Sequence, residues 1–200
     1  MSAERRRPVS QRPSYARNSR DFSPDALVVE AVSRLGRRGG SALDIGAGTL
    51  SSTRHLLSAE FIVDAVDPDP YTLELAAELD DPRLTVQCDE IRAVLVAEAR
   101  YDVIAAISVL HLLPRPELYT LVPTLVNGLT EGGILAATFV GVHDSWAPTP
   151  WRATVVHRDE VLDLTSGLEV LRLDEYEYDG ADVFGEPKRW HTMRGLFRKG

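Results

Sequence analysis

Five short apolar segments alternate with stretches of helical spacing over the first 140 residues, and this pattern limits the fold more than any other feature of the chain. The segments predict strands at 42–45, 61–66, 84–88, 101–107 and 134–140. The stretches between and before them predict helices at 27–35, 53–59, 71–79, 91–99 and 116–129, the first starting from Ser23-Pro24-Asp25 and the second capped by Ser51 or Ser52. Several strands are apolar throughout, which indicates a parallel sheet covered by helices on both faces. The sequence therefore predicts an α/β fold with an open, doubly wound sheet.

The alternation stops after residue 141. A loop rich in Pro and Trp (143–151) precedes a predicted helix at 159–164, and strands at 168–173 and 192–197 follow without a helix between them. They predict an antiparallel pair at one edge of the sheet. We predict one domain over residues 23–200 and an Arg-rich arm at residues 1–22. The arm has two interpretations: a solvated, partly mobile terminus, or a segment that folds over the site.

Composition narrows the classes of function. The chain has 200 residues and a net charge of −8, which argues against a nucleic-acid-binding surface spread over the whole protein. Its one cysteine, Cys88, cannot form an intramolecular disulfide and is interpreted as a core thiol in a reducing compartment. The longest apolar stretch, 103–113, is too short to span a membrane. No His and carboxylate spacing indicates a metal site, and the chain is expected to be cytoplasmic.

Acidic residues stand at the ends of three successive predicted strands. In open parallel sheets, ligands bind at the carboxyl ends of the strands. Asp44 lies on the first strand just before the turn Gly46-Ala47-Gly48, Asp67 ends the second and Asp89 ends the third. Glycines let the backbone approach a ligand, and carboxylates accept hydrogen bonds from ribose hydroxyls or an exocyclic amine. The pattern predicts an adenosine-containing ligand.

Two kinds of adenosine ligand are distinguished by the turn itself. The dinucleotide fingerprint requires a third glycine three residues after the second, where this chain has Ser51. Asp44 would repel a pyrophosphate but suits a positively charged ligand. S-adenosylmethionine carries an ammonium and a sulfonium group and is therefore favoured. A nicotinamide-dependent oxidoreductase is the weaker hypothesis.

A family likeness is carried by five stretches: LDIGAGT at 43–49, VDAVDPDP at 63–70, VQCDEI at 86–91, YDVIAAISVLHLL at 101–113 and LTEGGILAATF at 129–139. In them the chain resembles the class I S-adenosylmethionine-dependent methyltransferases. Through HDSW at 143–146 and KRWHTMRGLFRK at 188–199, it also resembles the small-molecule branch near the tellurite-resistance-type methyltransferases. The resemblance implies a Rossmann-like sheet of seven mostly parallel strands with an antiparallel last strand.

The resemblance also assigns parts of the ligand to residues. It implies that Asp44 and the Gly46–Gly48 turn lie near the methionine part, Asp67 at the ribose and Asp89 at the adenine amine. The predicted cofactor site further includes Ala47, Pro68, Glu90 and Ser108. The sequence departs from the family at Leu50, where a further glycine is often found.

The acceptor end is predicted from residues that follow the fourth and fifth strands. His111 and His143 are the catalytic candidates, because each imidazole can take a proton from an acceptor that must lose one. A helix cap is the alternative role for His111. Five residues are predicted to contact the acceptor: Tyr15, Asp144, Trp146, Trp151 and Arg152. A packed structural loop is the alternative for the tryptophans.

These residues predict methyl transfer from S-adenosylmethionine to a small-molecule nucleophile by in-line displacement. The expected partners are the small molecule alone, with no nucleic acid and no membrane, and the protein is expected to be a monomer or homodimer. The alternative is a protein of the same fold that does not methylate: a scaffold that binds cofactor or product, a sensor or a cyclisation catalyst.

Overall fold

The computed structural model describes residues 23–91, 94, 96–147, 153–182 and 185–200. The predicted arm at 1–22, which includes Tyr15, lies outside the described residues, as do Trp151 and Arg152. The division into an arm and a domain over 23–200 therefore stays a prediction.

Helices and strands alternate along the described chain. The helices are α1 (Ala26–Leu35), α2 (Ser51–Ser58), α3 (Pro70–Leu79), α4 (Arg115–Gly128) and α5 (Arg158–Leu164). The strands are β1 (Gly40–Ile45), β2 (Phe61–Val66), β3 (Leu84–Gln87), β4 (Tyr101–Ala106), β5 (Leu129–Gly141), β6 (Val155–Val156), β7 (Leu168–Ala181) and β8 (Pro187–Lys199). A single 3-10 turn, Leu110–Leu112, follows β4. No helix of the described residues is long and apolar enough to cross a membrane.

The strands form one sheet in the order β3-β2-β1-β4-β5-β8-β7, and the two-residue β6 pairs with β5. Strands β1 to β5 are parallel, whereas β8 is antiparallel to both of its neighbours. Apart from β6, this is the predicted seven-stranded sheet with an antiparallel last strand, and the fold prediction is confirmed. Strand order reverses at β1, which lies between β2 and β4, so the carboxyl ends of β1 and β4 form the crevice where such sheets bind ligands.

Apolar side chains cover both faces of the sheet. On β1, Ala42 packs in a cluster with α1 and α2, whereas the next residue, Leu43, packs in a cluster with α4 and α5. A strand covered on both faces has few residues that face water, which explains the apolar run 103–106 that follows the half-buried Asp102 in β4.

The helix predicted at 91–99 is wrong over the residues described there. Residues 94 and 96–100 are not helical. Val94 and Val96 pack against the core instead, and Val96 lies so close to Gly128 of α4 that a Cβ on the glycine would be 2.4 Å from Val96 Cγ1. The segment is rich in the helix formers Ala, Leu and Glu, so packing of its valines against the core overrides the local helix preference.

Strand β5 starts five residues before the predicted strand at 134–140 and runs through Gly132 and Gly133. Tyr101 of β4 pairs with Leu129, but Val103 pairs with Ile134, so an irregularity in the register accommodates the extra residues of β5. Glycines inside a strand are typical of such bulges.

Two helices begin on caps other than those predicted. Asp25, rather than Ser23, caps α1: its Oδ1 accepts a hydrogen bond from the Leu27 N–H at 2.8 Å. Leu50, rather than Ser51 or Ser52, holds the cap position of α2, where no side chain caps the helix.

The antiparallel pair β7–β8 is confirmed, but it is longer than predicted. The extra residues carry the acidic segment 174–179 into β7. Within β8, residues 192–198 pair with β5. Residues 187–191 therefore pair with β7 alone. The outer half of the hairpin therefore extends past the sheet.

Cys88 is not the core thiol that the sequence predicted. Strand β3 is an edge strand that ends at Gln87, and Cys88 follows it in an exposed position. Its Sγ lies 3.8 Å from the Pro68 carbonyl oxygen.

Candidate active site

The turn after β1 is fixed by its own contacts. Gly46 and Gly48 both have positive φ angles, of 72° and 48°, which favour glycine. Val109 packs against Gly46 so closely that a Cβ there would lie 2.6 Å from Val109 Cγ2. The Gly48 N–H donates to Asp67 Oδ2 at 2.8 Å, and the Thr72 hydroxyl donates to the Gly48 carbonyl at 2.9 Å. The bare backbone of this turn is therefore held in one conformation.

Leu50 occupies the family's glycine position in a left-handed conformation, with φ 59° and ψ 21°. Such a conformation costs a residue with a Cβ roughly 1–2 kcal/mol. The side chain is fully buried in a cluster with Ala65 and Leu75, on the side of α3. The leucine therefore contributes to the core, and burial of its side chain offsets the backbone strain.

Asp44 is buried on β1 without a cationic partner. It is 3% exposed, and its Oδ2 accepts a hydrogen bond from the Thr53 hydroxyl at 2.6 Å. Within the described residues no Lys or Arg forms an ion pair with it. Burial, with a contribution from the charge of Asp67, raises the pKa of Asp44 to about 6 from the ordinary value of 3.8. A cationic ligand would relieve this unfavourable charge.

Asp67 directly follows β2 and faces the same turn. Its two oxygens accept hydrogen bonds from the Gly48 and Asp69 amides, each at 2.8 Å. Burial raises the pKa of Asp67, while these amide bonds lower it. Each carboxylate oxygen keeps a second lone pair, so the group can still accept two hydroxyl donors. The cap of α3 is Asp69, so Asp67 does not have the helix-capping role common for such an acid.

The other predicted cofactor residues lie around this edge. Asp89 and Glu90 are exposed after β3, where Asp89 Oδ1 accepts a hydrogen bond from the Glu90 N–H. Ser108 is exposed after β4, and its N–H donates to the Thr138 hydroxyl of β5 at 2.6 Å. Ala47 is buried within the glycine turn, and Pro68 follows Asp67.

A third buried carboxylate, Asp144, lies beyond β5 and is paired with Lys188 of β8. Lys188 is only 4% exposed, and its Nζ donates to Asp144 Oδ1. Asp144 also accepts the N–H groups of Trp146 and His191, at 3.0 and 3.1 Å. The Lys188 Nζ lies 3.8 Å from the centre of the Trp146 ring and 4.4 Å from that of Trp190, within the range of cation–π attraction. The prediction that Asp144 contacts the acceptor stays a prediction, and the structure gives its carboxylate these partners.

His111 adjoins this cluster. Its ring centre lies 5.7 Å from that of Trp146, so three predicted acceptor-end residues, His111, Asp144 and Trp146, meet. Burial lowers the pKa of His111 to about 4, with the charge of Lys188 acting in the same direction and that of Asp144 against it. The imidazole is neutral at pH 7 and is a weak base.

His143 is held on another cluster. Its ring stacks on His191 with centres 5.0 Å apart, and its Nδ1 lies 2.8 Å from Glu177 Oε1. It is therefore paired with Glu177 rather than with its neighbour Asp144.

Residues 42–133 match the family model of the methyltransferase domain. Over these residues the chain carries a class I S-adenosylmethionine-dependent methyltransferase domain. The match includes Asp44, Asp67 and Asp89 and ends within β5. The Asp144–Lys188 cluster, the hairpin β7–β8 and His143 of this methyltransferase lie outside the matched residues.

Solved structures share the fold of the methyltransferase at low identity. TehB from Haemophilus influenzae is 18% identical with a TM-score of 0.72, over 86% of this chain and 61% of that one. The N-methyltransferase NodS from Bradyrhizobium japonicum, in complex with S-adenosyl-L-homocysteine, is 18% identical with a TM-score of 0.63, over 90% and 89%. The [4+2]-cyclase SpnF is 15% identical with a TM-score of 0.64, over 86% and 79%. A search of curated proteins found no match.

Sequence reasoning missed Lys188, the cation of the second cluster. The methyltransferase has 20 arginines and two lysines, so a lysine here was unusual for the composition. An ammonium group is a compact charge that fits between two indole rings, which explains why position 188 holds a lysine rather than an arginine. Glu177 was also missed, because the acidic segment around it predicted a solvated face.

Proposed function

We propose that the methyltransferase holds S-adenosylmethionine at the carboxyl ends of β1 and β2 and methylates a small-molecule nucleophile. The observation that carries the proposal is a pair of buried carboxylates, Asp44 and Asp67, beside a rigid glycine turn and without a cationic partner among the described residues. A ligand with an ammonium group and a ribose fits both of them.

S-adenosylmethionine supplies, when bound, a methyl group on a positively charged sulfur that an acceptor can take by in-line displacement. In the proposal, Asp44 lies at the ammonium end and Asp67 accepts the ribose hydroxyls. Asp89 faces the adenine amine. Ala47, Pro68, Glu90 and Ser108 complete the surroundings of the nucleoside.

The acceptor is proposed to bind near His111 and Trp146. The indole offers a flat apolar wall, and the neutral imidazole offers an acceptor for one proton or hydrogen bond. Because His111 is a weak base, the proposal favours an acceptor with a free lone pair at neutral pH, such as an amine. NodS, which shares the fold, is named an N-methyltransferase, and this name agrees with an amine acceptor. The net charge of −8 also supports a small molecule over a nucleic acid.

A same-fold protein that does not methylate is the second candidate. It is supported by the likeness in fold to SpnF, which is named a cyclase, and by the weakness of His111 as a base.

The experiment is calorimetric titration with S-adenosylmethionine, S-adenosylhomocysteine and NAD. Both sulfur nucleosides are expected to bind the wild type, and Asp67→Ala is expected to weaken them about 100-fold, because two hydrogen bonds to a charged group are lost. Asp64→Asn is the matched control, since this acid lies on the same strand but pairs with Arg100 and Tyr101 instead. Binding of NAD alone would overturn the proposal.

A methyl-transfer screen then separates the two candidates. Amines, phenols and thiols are offered with radiolabelled S-adenosylmethionine, and amines are expected to be labelled first. Tight binding of both sulfur nucleosides without transfer to any class would favour the non-methylating candidate.

A further inference from the structure

Two histidines and a glutamate meet where β7 and β8 extend past the sheet. His143, Glu177 and His191 each offer a ligand atom, and these atoms all lie within 4.8 Å of one another. Glu177 and His191 are direct partners in the β7–β8 pairing, and His143 reaches them from the end of β5. The residues are separated by 14 to 48 positions in sequence, which is why their spacing gave no sign of a metal site.

His191 is the rigid member of the group. It is 2% exposed, and its ring packs on Gly141, where a Cβ would lie 2.4 Å from Nδ1. Its Nδ1 accepts the His143 N–H at 3.0 Å, so the proton of the neutral ring is on Nε2, 2.7 Å from Glu175 Oε1. A carboxylate on the far nitrogen is the usual second partner of a metal-binding histidine.

Glu177 is oriented in a similar way. One oxygen lies 2.8 Å from His143 Nδ1, and Arg189 donates to the other oxygen at 3.0 Å. The arginine thus turns Oε1 towards the histidines. His143 and Glu177 are both accessible to solvent, so they can move towards the fixed His191.

A cavity of about 450 Å³ adjoins the group. His143, His157, Asp159, Glu175 and His191 are among its lining residues. The cavity has room for water molecules, and the polar groups in its lining can hold those that complete the coordination of an ion.

We propose that His143, Glu177 and His191 bind a divalent transition-metal ion of the Zn²⁺ type. Imidazole nitrogen with one carboxylate oxygen is a ligand set that zinc and cobalt accept, whereas Mg²⁺ and Ca²⁺ prefer oxygen alone. At bond lengths of about 2.0–2.2 Å, ligand atoms around zinc lie roughly 3.3 Å apart. The most widely separated ligand atoms, now within 4.8 Å, therefore approach by up to about 1.5 Å as His143 and Glu177 move. His191 exchanges its hydrogen bond from the His143 amide for the metal.

The site does not rest on the proposed function. In the sheet, β8 is separated from β2 and its Asp67 by β1, β4 and β5. Titration with S-adenosylhomocysteine therefore tests the proposed function, and titration with metal alone tests the metal site.

The test is titration of the tag-free full chain with Zn²⁺ in competition with a chromogenic chelator. One ion per chain is expected. His143→Gln and Glu177→Gln are each expected to weaken binding at least tenfold. Loss of a group that only hydrogen-bonds to a metal ligand commonly weakens binding by that much, and these two residues are ligands themselves. His157→Gln, in the same cavity, and Cys88→Ser, an exposed thiol, are the controls and should change the affinity less than threefold. A His191 variant is avoided because its ring packs against Gly141.

Equal affinity in the wild type, His143→Gln and Glu177→Gln would mean an adventitious ion only and would overturn the proposal. Co²⁺ gives a second measurement. Intense visible bands of four-coordinate cobalt are expected for the wild type and should be lost in His143→Gln, and Mg²⁺ in excess should not displace the ion. The weak spectrum of aqueous cobalt in the wild type would also overturn the proposal.

Discussion

Asp44 and Asp144 are equally removed from water, at 3% and 2% exposure, but they are stabilised in opposite ways. Asp144 has the ammonium of Lys188 and two backbone amides as partners. Among the described residues, Asp44 has hydrogen bonds from Thr53 but no cation, and its pKa is raised to about 6. The fold itself supplies the counter-charge of Asp144, whereas Asp44 can gain a counter-charge only from a bound ligand.

Structural acids and ligand-binding acids differ in whether the fold supplies their counter-charge. A buried acid with its own cation holds elements together, here the loop after β5 and strand β8. A buried acid without one is unfavourable in the free protein and points to a cationic ligand.

The largest effect is expected from breaking the paired carboxylate. Lys188→Met leaves Asp144 buried with its charge unpaired, which should lower the free energy of unfolding by about 3–5 kcal/mol. Urea denaturation at pH 7 measures the loss. Adding Asp144→Asn to this variant removes the charge and should recover at least half of it. A loss under about 1 kcal/mol would show that the pair is not what holds the hairpin.

Removal of the unpaired charge of Asp44 should raise the free energy of unfolding instead of lowering it. Asp44→Asn keeps an acceptor for Thr53 and should stabilise the free protein at pH 7 by up to about 3 kcal/mol, while weakening S-adenosylmethionine binding. Because the folded pKa of Asp44 is raised, the folded state binds more protons, and the contribution of Asp44 to wild-type stability should fall as pH rises from about 4 to about 6. Unfolding of both proteins at pH 4, 5, 6 and 7 should show a difference that grows with pH. A variant less stable than the wild type at pH 7 would contradict the assignment.

Leu50 offers a smaller effect within the cofactor region. Leu50→Gly loses a buried side chain, at about 3 kcal/mol, but relieves the left-handed backbone, for a net loss of about 2 kcal/mol. Leu50→Ala loses the side chain and keeps the strain, so it should be about 1 kcal/mol less stable than the glycine variant. Urea denaturation of the two variants measures the strain directly. Affinity for S-adenosylhomocysteine should stay within about threefold of the wild type, because the leucine faces the core.

At pH 7 the smallest effect on stability is expected from the imidazole beside the paired carboxylate, because this ring is mostly neutral in both the folded and the unfolded state. The His111 resonance, assigned by its absence in His111→Gln, should titrate near pH 4 by NMR. Because burial lowers its pKa, the unfolded state takes up the proton first, and this residue should make stability fall as pH drops below about 6.5. That slope is opposite to the slope from Asp44. A midpoint above pH 6 would show that His111 is accessible enough to be an ordinary base.

The fold and the cofactor edge could be predicted because both follow from local rules. Strand β2 was predicted at its observed bounds, since an apolar run ends at Asp67-Pro68. Parallel strands end at one edge, so Asp44, Gly46 and Asp67 meet wherever the alternation of strand and helix holds.

The acceptor end could not be predicted in the same way. Asp144 meets Lys188 and His143 meets His191 only through the register of the β5–β8 and β7–β8 pairs, and a hairpin with long, irregular arms does not reveal its register in sequence. The helix wrongly predicted at 91–99 failed for a related reason, because Val96 is placed by contact with the distant Gly128.

The position of β8 has a consequence for how the chain folds during synthesis. Strand β8 lies between β5 and β7 although it follows both in sequence, so it must insert between them. Until residues 187–199 have left the ribosome, β5 presents an open apolar edge and β7 has no neighbour. Open strand edges pair readily with other chains, so this is the interval in which the nascent protein is most prone to aggregate. Chains stopped before Lys188 should therefore be recovered as aggregates, even though they contain every residue of the cofactor edge.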